Sequence, residues 1–127
     1  KVSDYPIFDI SLYKELENNR RKILIGDFDV FGDGSVTILS APGHTPGHQV
    51  LLLRLKNHGP LLLSGDLYHF VKSRELKAIP VFNINAEQSL ESMAKIEEII
   101  TSEGATLWIE HNLALAKSLN LAPAFYD

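Results

Sequence analysis

The chain divides into a stretch patterned for strands followed by one patterned for helices. From Ser11 to Asn18, Leu12 and Leu16 fall four apart among polar residues, behind Pro6 and Asp9, which predicts a short helix. Lys22 to Ile25 and Phe28 to Phe31 carry β-formers. Gly32-Asp33-Gly34 then offers the positive-φ positions of a tight turn before Val36 to Leu39, so a hairpin is expected. A second strand pair, Val50 to Leu55 and Leu61 to Ser64, flanks Asn57-His58-Gly59-Pro60, and its continuous apolar character predicts strands buried on both faces. After Asp66 the pattern breaks into a mixed-charge segment containing Pro80. Asn85 then opens the clearest helix: it can cap with Gln88, Leu90, Met93, Ile96 and Ile100 keep helical spacing, and Gly104 stands where a C-cap glycine belongs. Thr106 to Ile109 reads as a strand ending at Glu110-His111, and Leu113 to Leu119 as a last short helix. A β-rich start followed by αβα gives an α+β chain.

Composition narrows the possibilities. With 127 residues, 45% hydrophobic and 22% charged, the chain suits one folded domain rather than a disordered segment. Its longest apolar runs, Val50 to Leu53 and Leu61 to Leu63, fall well short of the ~18 residues a membrane-spanning helix needs. Twelve Lys plus Arg against sixteen Asp plus Glu give a net charge of -4 with no basic cluster, so neither a membrane nor a nucleic-acid partner is expected. There is no cysteine, hence no disulfide, thiolate metal site or cysteine nucleophile; any metal must be held by His and carboxylate. Lys1 to Ile10 has no apolar core of a signal peptide, and a start at Lys1 reads as cut, which makes 1–127 a single partial domain.

The candidate chemistry lies at strand ends. Ala41-Pro42-Gly43-His44-Thr45-Pro46-Gly47-His48 sets two histidines four apart among Gly and Pro, a pattern that no helix holds and that demands a shaped loop. Ser64-Gly65-Asp66 places a carboxylate after an apolar strand, with a glycine that permits close backbone approach. Trp108-Ile109-Glu110-His111 does the same with an imidazole. His48, Asp66 and His111 are therefore expected to converge at one sheet edge as metal ligands, because turn chemistry alone does not ask for imidazole at two of the three ends. His58 and His69 read as solvated turn and loop residues, and Lys95, Glu97 and Glu98 as an ordinary solvated helix face.

Taken together, Gly43-His44-Thr45-Pro46-Gly47-His48, Ser64-Gly65-Asp66 and Glu110-His111 resemble the C-terminal half of a metallo-β-lactamase-fold hydrolase. Phe31 to Ser35 leading into Ala41 to Gln49, Gly65 to His69 and Leu107 to His111 are most similar to the N-acyl-homoserine lactonase-like branch. The resemblance implies half of a four-layer αββα sandwich, with a mostly antiparallel sheet and flanking helices. It implies two zinc ions, with His48 on the first, Asp66 bridging and His111 on the second. His44 would support rather than ligate, Tyr68 would stand near the substrate, and Asn112 takes a place where relatives often carry Asp. The implied reaction is opening of a lactone ring by hydroxide, with Asp66 and Tyr68 as the catalytic residues; a thioester hydrolase of the glyoxalase II type would use the same ligands. The family's H-x-H-x-D-H segment does not occur between Lys1 and Asp127. The expectation is therefore an enzyme fragment that is inactive alone and that pairs with a second copy through the strands 50–55 and 61–64, or else a non-catalytic self-associating fragment.

Overall fold

The computed structural model describes residues 9–127. Its centre is a five-stranded sheet in the order β1-β2-β3-β4-β5, built from β1 (Phe28–Asp29), β2 (Val36–Ser40), β3 (Gln49–Leu55), β4 (Gly59–Leu63) and β5 (Thr106–Trp108). The first four strands are antiparallel neighbours, and β5 joins β4 in parallel. That parallel step requires a crossover, supplied by α1 (Val71–Leu76) and α2 (Ala86–Glu103); α3 (Leu113–Ser118) follows β5. The fold is thus α+β with a mixed sheet, as the order of patterns predicts. No helix among the described residues is long and apolar enough to cross a membrane.

One face of the sheet makes the core. Leu39, Val50, Leu52 and Leu62 pack with Met93 and Ile96 of α2, and all six are buried. The register explains the choice: Leu52 pairs Leu62 and Leu39 pairs Val50, so these residues share a face. Asn85 caps α2 by accepting the Gln88 N–H, and Gly104 closes it in the left-handed conformation at φ 64°.

Several expected features differ. The helix over 11–18 is instead two 3-10 turns, Ile10–Leu12 and Lys14–Asn18, and Leu12 and Leu16 are exposed. So short a helix needs an apolar surface to pack on, and among the described residues Leu12 and Leu16 are left exposed. Pro6 lies outside the described residues. Lys22 to Ile25 is not a strand: Ile23 and Ile25 stand exposed and have no neighbouring strand among the described residues. The mixed-charge segment after Asp66 contains α1, whose first turn is tied by the Phe70 N–H donating to Ser73 Oγ and whose last turn is tied by Arg74 to Glu97. Leu90 is 44% exposed, because the first turns of α2 lie against loop backbone and bury Ser89 and Ser92 instead. The solvated reading of the α2 charges also fails in part. Glu97 accepts from Arg74 and from the Tyr68 hydroxyl, and Lys95 reaches Asp27 and the Ser40 carbonyl.

A candidate metal centre at Asp66

The loop between β2 and β3 is held by the start of α2. Gly43 and His44 carbonyls accept from Asn85 and Ile84, and Ser92 Oγ donates to the Pro42 carbonyl. Gly43 has φ 137°, and a Cβ there would stand 2.4 Å from the Ser89 nitrogen. The glycine is demanded by that approach as well as by its φ. The loop therefore presents His44 and His48 from a fixed base.

The two histidines do different things. His48 Nδ1 stands 3.0 Å from the Ala41 carbonyl, and His48 Nε2 accepts the backbone N–H of Asp66 at 3.0 Å. Both ring nitrogens are committed, which fixes the tautomer with the proton on Nδ1. Burial, partly opposed by the Ala41 carbonyl, pushes the His48 pKa down and keeps the ring neutral. Gly65 makes the contact possible: a Cβ there would meet His48 Nε2 at 3.0 Å. His44, expected only to support, turns its Nε2 to Asp66 Oδ2 at 3.5 Å. Its Nδ1 faces Asn83 Oδ1 at 3.1 Å, and the Asn83 amide in turn donates to Ser89 Oγ. A proton on Nδ1 satisfies that contact and leaves the Nε2 lone pair directed at the carboxylate side.

On the other oxygen, His111 Nε2 lies 2.8 Å from Asp66 Oδ1. His111 follows β5, and the parallel pairing of Leu63 with Trp108 brings the ends of β4 and β5 side by side. His69 Nε2 stands 3.7 Å from the same oxygen. Asp66, His69 and His111 each offer one donor atom within 4.8 Å of the others. Burial raises the Asp66 pKa, but the His111 hydrogen bond and the charges of His44, His69 and His111 together outweigh it and hold the carboxyl below its ordinary value.

The structure thus brings Asp66 and His111 together and sets His48 against the Asp66 backbone rather than its carboxylate. Tyr68 is placed elsewhere: its ring is buried and its hydroxyl donates to Glu97 Oε1 at 2.7 Å, away from Asp66. The reason lies in the 3-10 turn Gly65–Leu67. The turn ends at Leu67 and the chain leaves it through an extended Tyr68 (φ -126°, ψ 121°), which sends the Tyr68 hydroxyl to α2 and brings His69 Nε2 to 3.7 Å from Asp66 Oδ1. No pattern in the sequence marks that placement, because it depends on where the turn ends. His58, read as a solvated turn residue, instead packs edge-on against Trp108 and Tyr126.

No family model matches the chain. It is 37% identical over 99 residues to the N-acyl homoserine lactonase AttM of Rhizobium radiobacter, covering 78% of this chain and 38% of that protein. It is 30% identical over 110 residues to an N-acyl homoserine lactonase of a Bacillus species, covering 87% of this chain and 43% of that one. Among solved structures, it is similar to an N-acyl homoserine lactone hydrolase with the product N-hexanoyl-L-homoserine bound at the catalytic metal center. The TM-score is 0.74 at 29% identity, over 84% of this chain and 41% of that one. The chain is therefore a partial match to N-acyl homoserine lactonases of the metallo-β-lactamase fold, and it spans well under half the length of these relatives.

Proposed function

We propose that this chain, a partial match to the N-acyl homoserine lactonases, carries part of a metal-dependent hydrolase centre that opens a lactone ring. The observation behind this reading is the Asp66 carboxylate, with His111 at 2.8 Å from one oxygen and His44 at 3.5 Å from the other. Imidazole and carboxylate are the ligand types that suit zinc, and a carboxylate flanked on both oxygens fits a bridge between two ions. Asp66 and His111, with His44 on the opposite side, are the residues that would hold metal. His48 positions them, since its ring fixes the Asp66 backbone and has no nitrogen left to offer.

A bound metal supplies Lewis acidity toward an ester carbonyl and brings the pKa of water toward neutrality. The chain's own residues prepare for this. The imidazoles around Asp66 outweigh its burial and hold the carboxyl below its ordinary value. His44 is kept in one tautomer by Asn83, and the Asp66 backbone is held by His48. In this reading Tyr68 braces α1 against α2 through Glu97 rather than meeting the substrate.

The substrate class follows the relatives. Solved structures similar to this chain hold N-hexanoyl-L-homoserine and N-decanoyl-L-homoserine, each a ring-opened acyl product. A small acylated lactone is the substrate proposed here, and a thioester is the competitor that the same ligands would serve. Three ligand side chains shared between two metal positions leave each ion short of protein contacts, so the 127-residue chain by itself is expected to turn over lactone very slowly. Zinc bound per chain, with and without Asp66→Ala, tests the centre. Bound zinc lost in the variant supports it; no zinc bound by the parent chain refutes it. Rates with N-hexanoyl homoserine lactone against an acyl thioester of equal chain length decide the substrate.

A further inference from the structure

We infer that His69 is a ligand of the metal on the Oδ1 side of Asp66, completing a set with Asp66 and His111. This rests on the proposed metal centre and goes beyond it, because neither the sequence reading nor the relatives' descriptions give His69 a role.

The first argument is distance. Four ligands at ~2.0 to 2.2 Å around a tetrahedral ion are separated from one another by about 3.4 Å. His111 Nε2 lies 2.8 Å and His69 Nε2 3.7 Å from Asp66 Oδ1, either side of that spacing, and all three donor atoms fall within 4.8 Å of one another. At 3.7 Å His69 makes no hydrogen bond to the carboxylate.

The second argument is the state of the ring. His69 has a side chain only 12% exposed, and its Nδ1 is buried with no hydrogen-bond partner among the described residues. A buried imidazole that lacks strong polar contacts is costly, and such a group calls for an explanation. Packing alone holds it: the ring lies 5.6 Å from His111 at an interplanar angle of 11°, and Phe82 meets it edge-on at 5.3 Å. Two near-parallel imidazoles from different elements thus direct Nε2 toward one carboxylate oxygen. A cation between them gives His69 Nε2, which makes no hydrogen bond to the carboxylate, a partner on the side it shares with His111 and Asp66.

Cobalt(II) binding by the 127-residue chain, read by visible absorption and by competition with a chelator, tests the inference. Circular dichroism checks the fold of each variant. The chain has no cysteine, so His69→Cys places a single thiolate at this position. A thiolate-to-cobalt charge-transfer band in the near ultraviolet is expected in that variant, and at least about a tenfold loss of affinity in His69→Ala. Failure of His69→Cys to show the band, while the parent chain binds cobalt and His111→Ala weakens that binding, overturns the role of His69 and leaves the centre standing. A parent chain that binds no cobalt and no zinc removes the centre and the inference with it.

Discussion

The backbone N–H of Asp66 donates to Nε2 of His48 at 3.0 Å, so a loop residue before β3 sets the position of the carboxylate after β4. Imidazole in this place acts as a bridge between two backbones, Ala41 on one side and Asp66 on the other. His48→Ala removes the acceptor and leaves a part-buried N–H unpaired, a loss of about 1 to 3 kcal/mol in urea unfolding. Zinc affinity should fall as well, because Asp66 loses its support. If affinity collapses while stability is unchanged, His48 is a ligand and not a brace.

The two glycines of the site give a second test. At Gly43 an added methyl would sit 2.4 Å from the Ser89 backbone nitrogen, against a helix that cannot move away cheaply. Gly43→Ala is expected to cost about 3 kcal/mol or more in chemical denaturation. At Gly65 the methyl meets His48 Nε2 at 3.0 Å and the backbone sits at φ +47°. Gly65→Ala should therefore cost less in stability, about 1 to 2 kcal/mol, yet weaken zinc binding by displacing His48. Losses within about 0.5 kcal/mol for both variants would mean that neither close approach matters.

Acid should act on the link between α1 and α2. The Arg74 hydrogen bonds hold the Glu97 carboxyl below its ordinary pKa, with burial opposing. A carboxyl with a lowered folded pKa stabilises the fold above its unfolded value near 4.5, and that contribution is lost as pH falls through the folded pKa. The pair is more than a third exposed, so solvent screening limits its contribution to roughly 1 kcal/mol. Glu97→Gln should be less stable than the parent chain by that amount at pH 7, and the difference should shrink as pH falls through the folded pKa of Glu97. A difference that persists in acid would assign the effect to packing.

The sequence shows the strands and α2 plainly, since β3, β4 and α2 carry long unbroken patterns and α2 has both caps. It singles out the strand ends as the candidate site for the same reason, because Asp66 and His111 follow apolar runs. What it hides depends on contacts distant along the chain. The six-residue α1 is held by Arg74 on Glu97 rather than by periodicity. The different contacts of His44 and His48 are set by Asn83 and by the Asp66 N–H, neither of which is visible in the motif. His69 looks like a loop residue, and only the extended exit of the chain at Tyr68, after the turn Gly65–Leu67, brings it to Asp66.

Self-association follows from the sheet face that α2 does not cover. Register sets Ile38, Leu51, Leu63 and Trp108 in one row across β2 to β5, opposite the row that faces Met93 and Ile96. These four are only half-buried, as are Val36 and Leu53 on the same face. Leu61 is buried there, beside the end of the sheet where His58, Trp108 and Tyr126 pack together. The row is apolar from β2 to β5 and only partly covered, so a second copy packed face to face is the expected cover. Sedimentation of the 127-residue chain at micromolar concentration should show a dimer or larger species, and Leu51→Lys should shift it toward monomer. A stable monomer of the parent chain would mean that the half-burial of this row suffices.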